Sequence, residues 1–328
     1  MVSARLRGGA ALLAVLLCPF AFGAITASDG CTAVNRREGR TLESRCYSIE
    51  VAGLARTFRL YAPAGHPGPL PLLLVLHGGG GGGGNMEWLT RQGLNRIADR
   101  DGALIAYPDG IGKGWNDGRG DLKSKAAQQN VDDVGFLRAL PRQIATSFPV
   151  DPQRVYATGI SNGGLMSYRL ACDASDVFAA VAPVAASMSE LLAPRCAPSR
   201  PVPMAIFNGT DDPIMPWNGG EIKVLWAARG KVLSTAATVA RWMELDRCGP
   251  LYQAGGLLDT VPDDDTAVLR QSAQCAGHAA IDLYEIRGGG HTWPGGEPYL
   301  GKWLVGRVSR EIDANEVIWR FFKDHPLR

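Results

Sequence analysis

Apolar residues recur along this chain with two different spacings. Leu70–Leu76 is a continuous apolar run, the pattern of a strand buried on both faces. Shorter runs at Ala103–Tyr107, Arg154–Gly159, Phe178–Val184, Pro203–Phe207 and Ala280–Ile286 predict further strands, and Tyr47–Val51 and Thr57–Tyr61 are β-like as well. Between them the spacing turns helical. Asp132–Phe148 carries Leu137, Leu140, Ile144 and Phe148 along one face, with Pro141 expected to kink or shorten that helix. Helices are also predicted over Gly163–Cys172 and Ser234–Leu245. A last one starts at about Asp313, with Glu316 three residues on as a capping pair. Alternating strands and helices predict a mostly parallel central sheet with helices on both faces. No repeat or linker divides the chain, so residues 28–328 are expected to form a single domain.

The first residues follow another logic. Arg5 and Arg7 precede an apolar run from Ala10 to about Ala24, and small residues follow at Gly23, Ala24 and Ala27. This predicts a signal peptide over residues 1–27, too short for a comfortable membrane span. Cys18, between Leu17 and Pro19, has poor surroundings for lipidation. The formal net charge is +2, and removing Arg5 and Arg7 brings it near zero. That gives no sign of a nucleic-acid or anionic-membrane partner.

Export changes how the cysteines are read. Six remain beyond the leader: Cys31, Cys46, Cys172, Cys196, Cys248 and Cys275. An even number in an exported chain implies disulfides, with 15 pairings open. The sequential set Cys31–Cys46, Cys172–Cys196 and Cys248–Cys275 is the expectation. No Cys/His spacing points to zinc, and no metal or cofactor is expected.

The candidate chemistry begins at Gly159-Ile160-Ser161-Asn162-Gly163, a G-x-S-x-G pentapeptide after a strand pattern and before a helix pattern. That is the context of a nucleophile elbow, with Ser161 held on a strained turn above the sheet's C-terminal edge. A serine hydroxyl needs a base. In this fold the acid and then the histidine follow the serine in chain order. His278 precedes the last strand and His325 sits near the C-terminus, which leaves His291, beyond Gly288-Gly289-Gly290. The acid is expected after Pro203–Phe207, where Asp211 and Asp212 are adjacent and spacing does not choose between them. Donors for an oxyanion are expected from the backbone N–H of Asn162 and from the loop His77-Gly78-Gly79-Gly80. The glycine run Gly78–Gly84 lacks the Gly-Lys-Ser/Thr ending of a phosphate loop, which argues against nucleotide binding.

Several stretches together make a resemblance specific: Leu76-His77-Gly78-Gly79, Gly114-Trp115-Asn116-Asp117, Asp132-Asp133-Val134-Gly135-Phe136, Gly159–Gly164, Gly209–Pro213 and Gly288–Gly296. Spanning roughly residues 45–324, they resemble the secreted esterases grouped with poly(3-hydroxybutyrate) depolymerases and feruloyl esterases. The resemblance implies an α/β-hydrolase fold and a serine carboxylic-ester hydrolase acting through an acyl-enzyme. It places the triad acid on Asp212 and the first oxyanion donor on Gly79, where the family often has Cys. The implied substrates are polyhydroxybutyrate-type oligomers, or feruloyl and acetyl esters of plant polysaccharide. Between Val184 and Pro203 there is little room for a large lid domain. The longest insertion, about residues 213–279, suggests an open cleft for a bulky or polymeric ester. Trp115, Trp217 and Trp293 lie on loops at the catalytic edge and are candidates to stack on substrate. A peptidase or acyltransferase on the same fold is the alternative. A non-catalytic module is disfavoured, because serine, histidine and oxyanion loop are all retained.

Overall fold

The structure is a computed structural model and describes residues 25–31 and 44–327. The expected leader falls outside them up to residue 24. Thr26 and Ala27, the end of that expected leader, pair with Ser48 and Tyr47 and so belong to the folded part.

The first half of the chain forms β1 (Thr26–Ala27), β2 (Arg45–Val51), β3 (Leu54–Tyr61), β4 (Leu70–Leu76), α1 (Gly83–Leu89), α2 (Gly93–Asp101), β5 (Leu104–Pro108), α3 (Lys125–Gln128), α4 (Asp133–Ile144) and β6 (Val150–Ile160). There follow α5 (Asn162–Asp173), β7 (Ala180–Val184), β8 (Met204–Gly209), β9 (Gly220–Val224), β10 (Ala227–Val232), α6 (Thr235–Leu245), β11 (Tyr252–Gln253), β12 (Ala267–Gln274), β13 (Ala280–Arg287), α7 (Lys302–Val305) and α8 (Ala314–Lys323). One sheet runs β1-β2-β3-β5-β4-β6-β7-β8-β13-β12-β11. Its centre, from β5 to β13, is parallel. Both edges are antiparallel. The predicted parallel sheet is therefore the middle of a larger mixed one.

Side-chain alternation along β4 explains why the whole run is buried. Leu72, Leu74 and Leu76 enter one core with Leu137 and Leu140 of α4, Met166 and Leu170 of α5, and Trp242 of α6. Leu73 and Val75 enter the other with Met86 of α1, Leu94 and Ile97 of α2, and Ile318 and Phe322 of α8. Successive residues of a strand face opposite ways, so a strand between two helical layers must be apolar throughout.

One local expectation is met and another changes. Helix α4 passes through Pro141 and ends at Ile144, short of Phe148. Asp313 caps α8 by accepting from the Asn315 N–H (2.9 Å), but Glu316 turns away and binds Arg100 (2.8 Å), so the capping pair does not close. The insertion holds the predicted helix as α6, and also a β9–β10 hairpin and the antiparallel strands β12 and β11 at the sheet edge, which residue spacing did not reveal. The three disulfides join Cys31–Cys46, Cys172–Cys196 and Cys248–Cys275.

Candidate active site

Ser161 is the single residue between β6 and α5. Its backbone, φ 57° and ψ −120°, is one that costs a non-glycine residue on the order of 1–3 kcal/mol. The surroundings impose it. Ser161 N–H donates to Val184 O (2.9 Å), and its carbonyl accepts from Leu165 N–H (2.8 Å). A Cβ on Gly159 would lie 2.6 Å from the Leu76 carbonyl oxygen of β4, and one on Gly163 would overlap the same atom. Strand and helix can approach this closely only with glycine at both positions.

Strands β8 and β13 are parallel neighbours, with Gly209 opposite Ile286, so the loops leaving their C-terminal ends start side by side. One carries Asp212 and the other His291. His291 Nδ1 lies 2.7 Å from Asp212 Oδ2, and both side chains are 2% exposed. Asp212 Oδ1 accepts the N–H groups of Ile214 (2.8 Å) and Met215 (2.7 Å), which fixes the carboxylate plane. An ionised carboxylate only accepts, so His291 carries its proton on Nδ1 and keeps Nε2 as a base. Asp211 points away: its side chain is 57% exposed and 3.8 Å from Arg307. The alternative left open by spacing therefore falls on Asp212. The His291 N–H donates to Val305 O (2.6 Å), and its carbonyl accepts the Tyr299 hydroxyl (2.8 Å). His278 lies before β13, and His325 follows α8, bound through Nδ1 to Phe321 O (2.7 Å).

Two N–H groups of the glycine loop after β4 are bonded within the protein. Gly80 N–H is bound to Lys113 O (2.7 Å) and Gly81 N–H to Gly78 O (3.1 Å). The N–H groups of Gly79 and of Asn162, the first residue of α5, donate to no backbone group among the described residues. Both belong to residues lining the same cavity as Ser161. A Cβ on Gly79 would meet only Asn162 Cβ, at 4.0 Å, so a side chain would find open space here.

A buried polar layer holds this loop. His77 Nε2 accepts from Gly110 N–H (2.9 Å), so Nδ1 carries the proton and donates to Gly78 O (2.8 Å). Burial pushes this imidazole below its ordinary pKa and keeps it neutral. Trp115 Nε1 donates to the His77 carbonyl (2.9 Å). The Asn162 side chain accepts from Trp115 N–H (2.7 Å) and donates to Asp117 Oδ2 (2.6 Å). Asp133, with its carboxyl raised by burial, binds Arg56 and Asn116 N–H, both at 2.7 Å. The Gly114–Asp117 and Asp132–Phe136 stretches thus serve as the frame behind the catalytic loops.

Ser161, His291, Gly79 and Asn162 all line one cavity of about 600 Å³, within the usual range for small-molecule sites. The tryptophan expectation needs correction. Trp115 and Trp293 are 1% and 0% exposed and pack the loops, and Trp217 is half-buried away from the cavity wall. Sequence reasoning missed the aromatics that do line it, Trp88 and Tyr299, and two cations, Arg119 and Arg229. Tyr299 could have been suspected from its place just beyond the Gly288–Gly296 stretch. Arg229 had no signal at all.

A serine elbow at the C-terminal edge of a parallel sheet, with an aspartate and a histidine delivered after β8 and β13 of that same edge, defines an α/β-hydrolase. Comparison with known proteins narrows this. The chain is 32% identical over 294 residues to "Putative esterase NocK" of Nocardia uniformis subsp. tsuyamanensis, covering 86% of this chain and 83% of that one. It is 29% identical over 236 residues to Feruloyl esterase B of Piromyces equi, covering 70% of this chain and 41%, less than half, of that enzyme. Among solved structures, the acetyl xylan esterase of Aspergillus awamori superposes with a TM-score of 0.50 over 82% of this chain and 94% of its own, at 12% identity. Residues 94–193 also match the prolyl oligopeptidase family. The chain belongs to the family of serine carboxylic-ester hydrolases in which feruloyl esterases and poly(3-hydroxybutyrate) depolymerases are grouped.

Proposed function

We propose that this is an exported esterase whose nucleophile is Ser161, acting on esters released from, or borne by, a polymer. The observation that carries the reading is the buried Asp212–His291 pair, whose histidine lines the same cavity as the strained Ser161. His291 Nε2 takes the Ser161 proton as the hydroxyl attacks the ester carbonyl. The N–H groups of Gly79 and Asn162 receive the oxyanion. His291 then protonates the departing alcohol, and water, activated by the same imidazole, releases the acid from the acyl-enzyme. Asp212 holds the imidazole in the tautomer this requires and stabilises its charged form.

The substrate class rests on the relatives' names, which include feruloyl esterase, acetylxylan esterase and poly(3-hydroxybutyrate) depolymerase. The cavity is open to the surface and flanked by the β9–β10 hairpin, a shape suited to a bulky ester. Export is supported by the three disulfides, which persist in oxidising compartments.

The test is kinetic. Ser161→Ala should lower kcat on 4-nitrophenyl acyl esters by on the order of 10⁶. Retention of a tenth of wild-type turnover would remove Ser161 from the mechanism. The match to the prolyl oligopeptidase family favours a second reading, a peptidase, which a panel of peptide anilides assayed beside the esters addresses. Incubation with methyl ferulate, acetylated xylan and amorphous polyhydroxybutyrate, with the released acids quantified, decides among the ester classes.

A further inference from the structure

The charged side chains that line the cavity, apart from any charge on its histidines, are two cations. Arg119 and Arg229 line it, and no aspartate or glutamate does. The two guanidiniums come from distant parts of the chain. Arg119 lies on the loop after β5, and Arg229 is on β10 of the hairpin inserted beyond Asp212. A single buried carboxylate links them: Asp121 accepts from Arg119 Nη2 (3.2 Å) and from Arg229 Nε (2.8 Å). Behind them Arg119 Nε is 3.4 Å from Asp117 Oδ2, and Asp117 also holds the Asn162 side chain. Gly230, at φ +95°, lets the hairpin backbone lie against Arg119, its absent Cβ facing the Arg119 carbonyl at 3.1 Å. Arg229 therefore binds Asp121 through Nε, and its two Nη groups make no hydrogen bond among the described residues. Its side chain is 26% exposed.

We propose that Arg229, held through Nε by Asp121, binds a free carboxylate on the substrate, so that the enzyme prefers esters carrying a negative charge near the scissile bond. This rests on the reading of Ser161 as nucleophile and adds to it the charge of the substrate. A guanidinium whose Nε is already held presents its two Nη groups as a planar fork, which matches a carboxylate. The cavity places that fork in the same space as Ser161 and His291. One ligand chemistry has two sources here: the acid end of a hydroxyacid oligomer, or a uronate on a polysaccharide.

The test compares matched esters. 4-Nitrophenyl hemisuccinate, hemiglutarate and hemiadipate are each set against the ester in which a methyl group replaces the carboxylate. 3-Acetoxybutyrate is set against its amide, and an acetylated methyl glucuronoside against the corresponding glucoside. The last two pairs identify the source. Wild-type kcat/KM should favour the acid over its neutral partner at least tenfold in one or more pairs, mainly through KM. Raising salt to about 0.5 M should shrink that ratio, because the charges are partly exposed. Arg229→Gln should cut the ratio tenfold or more, and Arg229→Lys should restore part of it. Fluorophosphonate labelling of Ser161 in each variant shows whether the site has kept its shape. A role confined to riveting the hairpin would lower both members of a pair together and leave the ratio unmoved. That result, or an acid-to-neutral ratio at or below one in every pair, would overturn the proposal. If the wild type turns over no ester and fails to label, the nucleophile reading falls separately. The anion site is then read by calorimetric binding of glutarate to wild type and Arg229→Gln.

Discussion

The centre of the sheet and the insertion after β8 face each other across one cavity and are built on opposite principles. The centre is apolar on both faces, parallel, and closed by backbone contacts so tight that Gly159 admits no side chain. The insertion is half-exposed, antiparallel, and held by ions and a disulfide. The centre supplies the strained serine and the Gly79 and Asn162 N–H groups proposed to receive the oxyanion. The insertion supplies Ile214, Ile222, Val224 and Arg229 to the wall a substrate would touch. On the proposed reading, chemistry that tolerates only small positional errors sits on the tightly packed part, whereas selection sits on the part that can vary without disturbing the sheet.

Asp212 belongs to both regions, and changing it gives the largest effect expected within this contrast. An Asn at that position would turn its carbonyl toward Ile214 and Met215 N–H and its amide toward His291 Nδ1. That would favour the tautomer with the proton on Nε2, where it cannot act as base. The kcat of Asp212→Asn should fall by about 10⁴ with the fold unchanged. A loss below tenfold would detach the pair from the chemistry.

The next effect separates stability from catalysis. The Cys248–Cys275 disulfide ties the end of α6 to the end of β12, closing a 27-residue separation far from Ser161. Replacing both cysteines by serine should cost roughly 2–4 kcal/mol of stability. Thermal unfolding should record that loss while kcat on a small neutral ester stays within about twofold, since small esters contact mainly the centre. An equal collapse of kcat would show that the two regions are not independent.

The smallest effect concerns pH. Burial pushes the Asp246 carboxyl, at the end of α6, up to about 7, although it accepts the Val202 N–H at 3.1 Å. In the unfolded chain an aspartate titrates near 4. As pH rises between these values the unfolded state ionises more readily than the folded one, so Asp246 erodes stability across that window. Asp246→Asn keeps an acceptor for Val202 and removes the charge. It should raise Tm by about 2–6 °C at pH 8 and change little at pH 4. A gain of equal size at both pH values would contradict the assignment.

Much of the centre was legible because its rules are local. Leu70–Leu76 has to be apolar at every position once helices cover both faces, and the pentapeptide around Ser161 is forced by the closeness of β4, β6 and α5. The choice between Asp211 and Asp212 could not be made from adjacency alone, because either carboxylate could follow β8. Family resemblance favoured Asp212, and the backbone turn at Ile214 and Met215 shows why. The three tryptophans misled because an aromatic on a loop can pack inward or face outward, and only packing decides which. Trp115 is absorbed by the bond to His77 and by the Asn162–Asp117 frame.

The amino-acid order by itself determined the buried strands, the turn between strand and helix at Ser161, the place of His291 beyond the last strand and an even set of cysteines past the leader. These depend on periodicity, chain order and residue chemistry, which are written linearly. Only the tertiary structure decided which carboxylate meets His291, that Asp117 braces Asn162, and that Arg119 and Arg229 converge on Asp121. Those contacts join segments 45 to about 110 residues apart, and pairings at such separations are set by how the sheet and its insertion pack, not by spacing along the chain.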